Sequence, residues 1–154
     1  MEMLRREYIS DSADLTKKLG QKIGELLWEG SCVLLSGDLG AGKTCFTQGL
    51  AVGLGITRKV SSPTFTMLKV YNEGRLKLYH LDAYRLEGAF QDVGFSEFIG
   101  IEGVTAVEWP EFIEQLLPPE YLKISISYLG EEQRLLQIEA VGEQYCQLVR
   151  KVIC

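Results

Sequence analysis

Cys32-Val33-Leu34-Leu35-Ser36-Gly37-Asp38-Leu39-Gly40-Ala41-Gly42-Lys43-Thr44 runs from a short apolar stretch straight into the pattern G-x-x-x-x-G-K-[ST]. The apolar part reads as a buried parallel strand, and Gly37 to Thr44 as a phosphate-binding loop that opens a helix. Each fixed position has its own task. The glycines let successive backbone N–H groups turn inward around phosphates, Lys43 reaches the outer phosphates, and the Thr44 hydroxyl is placed to ligate Mg²⁺ at the helix N-terminus. Gly37, Asp38, Leu39, Gly40, Ala41, Gly42, Lys43, Thr44 and the following Cys45 are therefore the expected nucleotide-binding residues.

Outward from this loop the chain alternates between the two regular periods. A strand ends at Tyr8-Ile9-Ser10, and Leu15, Leu19, Ile23 and Leu26 then recur at helical spacing, which predicts a helix over about 12–28 with its cap between Ser10 and Ser12. The helix after the loop runs from Thr44 to Leu54 and stops near Gly53 and Gly55. Residues 65–72 and 76–82 read as a hairpin turning at Asn72-Glu73-Gly74-Arg75, and 121–128 with 133–140 as a second, turning at Gly130-Glu131-Glu132. Asp92 to Ile99 suggest a short helix, Val104 to Val107 a compact strand, and 142–151 a terminal helix. The expected fold is α/β, a three-layer P-loop NTPase-like arrangement whose central, mostly parallel sheet carries antiparallel hairpin additions and is flanked by helices.

Length and composition narrow the function classes. The 154 residues fit one domain spanning 1–154, with no room for a second catalytic one. Apolar residues at 46% and charged residues at 24% are ordinary for a globular chain, and a net charge of −5 gives no support for tight direct binding of nucleic acid. No stretch is apolar enough to span a bilayer, and Met1 to Arg6 lack a signal-peptide core, so a cytoplasmic protein with no membrane partner is expected. Cys32, Cys45, Cys146 and Cys154 show no C-x-x-C spacing, which reads as reduced thiols rather than a zinc site.

A nucleotide bound with Mg²⁺ needs carboxylates at the carboxyl ends of strands. Glu108 ends the strand Val104 to Val107 and reads as the acid of the second metal-site motif, against a solvated strand end; Asp82 ends Leu78 to Leu81 and reads as an acid that binds metal through water or orients the attacking water, against a surface role. Thr64, in Ser61-Ser62-Pro63-Thr64-Phe65, lies where phosphate-loop proteins place a segment that senses the terminal phosphate, and it reads equally as an ordinary loop. His80, the one histidine, reads as packed within its strand rather than catalytic. Arg85 suits either a phosphate or a surface ion pair. Trp109, Tyr84 and Phe95 are candidate partner-facing aromatics, with a core role for Trp109 equally open. A small-molecule kinase would use the same loop but needs an arginine-rich lid that the chain lacks, and a guanine-reading N-K-x-D is absent. A nucleotide switch without a catalytic role stays open.

The set GDLGAGKT at Gly37 to Thr44, SPTF at Ser62 to Phe65, HLDAYR at His80 to Arg85 and EWPE at Glu108 to Glu111 resembles the TsaE (YjeE) family of small bacterial ATPases in order and spacing, from the N-terminal helix to about residue 118. The resemblance implies an ATPase needed for threonylcarbamoyladenosine formation beside the tRNA anticodon, with ATP and Mg²⁺ as cofactors. It implies TsaD and TsaB as partners and tRNA as an indirect one. It further implies that Lys43 and Thr44 bind phosphate and Mg²⁺, that Glu108 is the second metal-site acid, that Asp82 supports metal or water, that Thr64 belongs to a switch, and that Ser12 lies near the adenine. Cys45 departs from the usual threonine, and a thiol beside the nucleotide suggests sensitivity to oxidation.

Overall fold

In the computed structural model, which describes residues 2–38, 41–61, 63, 67–84 and 94–153, the apolar run at Cys32 forms the central strand of a seven-stranded sheet. The strands are β1 Met3–Ser10, β2 Cys32–Gly37, β3 Leu68–Tyr71, β4 Leu78–Asp82, β5 Val104–Glu108, β6 Tyr121–Tyr128 and β7 Arg134–Val141, in the order β1-β7-β6-β2-β5-β4-β3. β6, β2, β5 and β4 are parallel neighbours, while β7, β1 and β3 are added antiparallel at the flanks. A strand inside such a core is covered on both faces, which is why Cys32, Val33, Leu34 and Leu35 are all buried instead of alternating.

Three helices, α1 Ala13–Leu26, α2 Lys43–Gly53 and α3 Glu143–Val152, supply Ile23, Phe46, Leu50, Tyr145 and Leu148 to one face of the sheet, against Val33, Leu35, Ile124 and Ile138. α1 starts where the Ser12 side chain accepts the Leu15 N–H at 3.2 Å. α2 stops in a Schellman turn, with the N–H groups of Gly55 and Ile56 returning to the carbonyls of Val52 and Ala51. Between the two helices the backbones nearly touch: a Cβ at Gly49 would stand 2.1 Å from the Lys17 carbonyl oxygen, and one at Gly20 2.4 Å from that of Phe46.

The opposite face is covered differently. Phe95, Ile99 and Ile113 close over Leu34, Leu81 and Val107, and the covering segments are short 3-10 turns at Phe95–Glu97 and Pro110–Leu116 among the described residues. The helix expected over 92–99 is thus a single turn, its first two residues lying outside the described set. The turn at Pro110–Leu116 had no signal in the sequence, because non-helical angles at Ile113 (φ −135°, ψ 35°) break the helical period. Phe95 is 4% exposed and serves this second core, which corrects its reading as a partner-facing aromatic. The second hairpin falls on the predicted strands to within a residue, and the first is shorter, with residues 65 and 66 outside the described set.

Candidate nucleotide site

β2 delivers the chain to the loop at Gly37, whose φ of 143° and contact with β6 leave no space for a side chain: a Cβ would meet the Ile126 carbonyl at 2.5 Å. Asp38 is exposed and its carbonyl accepts the Ala41 N–H at 3.1 Å. Leu39 and Gly40 lie outside the described residues. α2 then begins behind Gly42 (φ 118°), which brings no capping side chain, so the first N–H groups of the helix face the loop as an anion-binding end. Thr44 is the second residue of that helix and is half-buried.

Lys43 turns its side chain inward under the loop. Its Nζ donates to the Gly37 carbonyl at 2.7 Å, lies 3.9 Å from Glu108 Oε1 and stands 4.5 Å from the centroid of the Trp109 ring. Parallel register places Asp82 beside Glu108 at the carboxyl ends of β4 and β5, so the two acids expected from their strand-end positions do meet. They are 8% and 4% exposed. Burial raises the Asp82 pKa above the ordinary carboxylate range; the Tyr84 N–H, donating to Oδ1 at 3.0 Å, opposes this, and neighbouring Glu108 adds to the rise. Two buried carboxylates and a hydroxyl at a helix start are hard oxygen donors, a set that fits Mg²⁺. Trp109, immediately after Glu108, holds φ 58°, a strained position for a bulky residue. That turn lays its indole over Lys43 and stacks it on Phe112, with Tyr84 edge-on and 53% exposed.

On the other side of the loop a cavity of about 460 Å³ is lined by Ser12, Ala13, Thr16, Ala41, Gly42, Cys45, Glu131 and Arg134, among others. Ser12 and Cys45 thus line one cavity with Ala41 and Gly42 of the loop. The Cys45 thiol donates to the Ala13 carbonyl at 3.2 Å, and burial pushes its pKa up, which opposes the oxidation sensitivity suggested by its position. A second cavity of about 630 Å³ lies over β1, β7 and β6 among Arg5, Lys123, Ser125 and Glu139, away from the loop and the acid pair. Ser62, Thr64, Phe65 and Arg85 lie outside the described residues; what is described is that Pro63 is buried and that Met67, just before β3, has φ 64°. No helix among the described residues is long and apolar enough to cross a membrane.

The family described as "Threonylcarbamoyl adenosine biosynthesis protein TsaE" matches residues 10–136. The chain belongs to the TsaE family. It is 46% identical over 137 residues to the tRNA threonylcarbamoyladenosine biosynthesis protein TsaE of Bacillus subtilis, covering 89% of this chain and 87% of that one. The protein of the same name from Treponema pallidum is 46% identical over 132 residues, 84% of this chain and 97% of the other. The crystal structure of Bacillus subtilis YdiB superposes with a TM-score of 0.85 at 38% identity, covering 99% of this chain and 96% of that one. The P-loop NTPase architecture expected from the loop is the one found.

The TsaE match spans every described site residue from Ser12 to Arg134 and leaves α3 outside. Two residues of the site lay beyond the sequence reading. Arg134, at the start of β7, donates to the Ala41 carbonyl at 3.2 Å and packs its guanidinium 4.3 Å from the Tyr128 ring, a contact across a hairpin end that no local motif announces. His80, expected to pack within its strand, is fully buried, but its Nε2 lies 2.7 Å from Glu108 Oε2. The signal was available in part: His80 stands two residues before Asp82, and period two puts both on one face of β4.

Proposed function

We propose that this protein is a Mg²⁺-dependent ATPase, one P-loop domain over residues 1–154, required in the cytoplasm for threonylcarbamoyladenosine modification of the adenine next to the anticodon in tRNAs that read codons starting with A. It acts on a TsaB–TsaD complex rather than on the tRNA itself. The observation that carries the reading is the convergence of Lys43, Asp82 and Glu108 at the carboxyl ends of β2, β4 and β5, beside an uncapped helix N-terminus. Family membership supports the pathway.

In this reading the loop from Gly37 to Thr44 cradles the phosphates, Lys43 reaches the outer ones, and Thr44 and Glu108 hold the Mg²⁺, which when bound neutralises phosphate charge. Asp82 orients the attacking water or supports the metal shell, and Thr64 belongs to the segment sensing the terminal phosphate. The cavity beyond Gly42, with Ser12 and Cys45 on its wall, takes the adenosine. Phosphoryl transfer to water depends on position and charge more than on covalent help, and no arginine among the described residues reaches the acid pair. Hydrolysis by the isolated chain is therefore weak and is stimulated by the partners, as when a cation supplied in trans raises such rates by about 10³-fold or more.

The test is ATP turnover and tRNA threonylcarbamoylation in a reconstituted mixture with TsaB and TsaD, comparing wild type, Glu108→Ala and no added protein. Multiple turnovers that need the wild type and fail with Glu108→Ala support the reading. Modification that proceeds equally well without this protein refutes it.

A further inference from the structure

We propose that His80 is the positioning residue for Glu108: its imidazole ties back one carboxylate oxygen so that the other faces the cation site beside Lys43. The proposal rests on the ATPase reading of this site and assigns a role to a side chain that reading leaves idle.

The geometry comes from the strand register. His80 pairs with Ala106 and Asp82 with Glu108, so His80 lies one pleat below Asp82 on the same face of the sheet, beneath the acid pair. Its Nε2 is 2.7 Å from Glu108 Oε2, and both side chains are buried. A carboxylate only accepts, so Nε2 carries the proton and donates. Among the described residues His80 is the one donor within hydrogen-bonding distance of that carboxylate: Lys43 Nζ is 3.9 Å from Oε1, an ion-pair distance. Among the described residues that carboxylate takes no other hydrogen bond. Freed of His80, the carboxylate can rotate onto Lys43 and pair with it directly, which takes an oxygen from the metal and a charge from the phosphates.

A packing role alone does not account for the residue. His80 sits between Leu78 and Leu81, which are fully buried, and its own Nδ1 is buried with no hydrogen-bond partner among the described residues. An apolar side chain would fill that position without the unpaired nitrogen. A polar ring kept there with only one of its two nitrogens satisfied is accounted for by what the satisfied nitrogen holds.

His80 is the only histidine of the chain, so one set of imidazole signals in a ¹⁵N-labelled sample reports on it alone. In the nucleotide-free wild type we expect the Nε2–H tautomer, and a changed signal in Glu108→Ala. An Nδ1–H tautomer, or signals that coincide in the two proteins, overturns the proposal. The second arm measures binding of a fluorescent ATP analogue as Mg²⁺ is titrated, with thermal unfolding as the control for folding. His80→Leu should need about tenfold more Mg²⁺ for half-saturation, and His80→Gln, which keeps an N–H donor, should recover part of that loss. A wild type that binds the analogue alongside a His80→Leu that titrates like it overturns the role of His80 alone. A wild type that does not bind nucleotide at all overturns the ATPase reading and this role together.

Discussion

Asp82 is held in a place that disfavours its charge, and the sign of its effect on stability follows from that. Burial, with Glu108 alongside, keeps its folded pKa above the unfolded value. The folded chain therefore binds this proton more tightly, and ionisation costs stability: the penalty is absent below the ordinary carboxylate pKa of about 4 and grows as pH rises toward the folded value. Asp82→Asn keeps an oxygen to accept the Tyr84 N–H and removes the charge. In Mg²⁺-free thermal melts it should unfold at a higher temperature than wild type at neutral pH, with the gap narrowing on acidification and gone by about pH 4. A gap that widens on acidification would reverse the sign. At Cys45 the raised pKa and the bond to Ala13 predict slow alkylation at neutral pH, quickening as pH rises; fast neutral modification with loss of ATP binding would restore the oxidation reading.

At the level of elements, the packing of α1 on α2 depends on missing side chains. Gly20 and Gly24 on the first helix and Gly49 and Gly53 on the second each face backbone of the other, and added methyl groups would meet carbonyl oxygens at 2.1–2.4 Å. Backbone cannot step aside as a flexible side chain does. Gly49→Ala should therefore cost about 1–3 kcal/mol, seen as a fall of several degrees in Tm. Because α2 carries Lys43 and Thr44, the same substitution should also weaken nucleotide binding. α1 ends without a glycine, and Arg75 closes it instead, its guanidinium donating to the carbonyls of Gly24, Glu25 and Leu27 at 2.8–3.0 Å. Arg75→Ala should destabilise by about 1–2 kcal/mol in urea unfolding while leaving the affinity for nucleotide unchanged.

Across the whole molecule, one sheet joins the two chemistries of the site. The loop leaves β2, the acids leave β4 and β5, and the cavity wall comes from α1, α2 and the end of the β6–β7 hairpin. A nucleotide bridging these parts stabilises the fold as a unit. ATP with Mg²⁺ at about 100 times its Kd should add about 2.7 kcal/mol to unfolding. That is several degrees in Tm, and Lys43→Ala should abolish the shift. An equal shift in that variant would mean that the ligand binds elsewhere.

The chain itself determined whatever depends on neighbours in sequence. The strand before and the helix after the Gly37 to Thr44 motif, the capping at Ser12, the C-terminal hairpin and the strand-end acids are local patterns of period, turn chemistry and spacing, and each is found in the fold. The segment around Pro110–Leu116 was not legible, since a 3-10 turn broken at Ile113 has no repeating face to read. Phe95 could be assigned to the second core only once Leu34, Leu81 and Val107 stood beneath it. His80 against Glu108 is a contact across 28 residues, and Arg134 against Ala41 one across 93. Such contacts are set by which strands become neighbours and in what register, a choice made by burial summed over the whole sheet, so only the tertiary structure decided them.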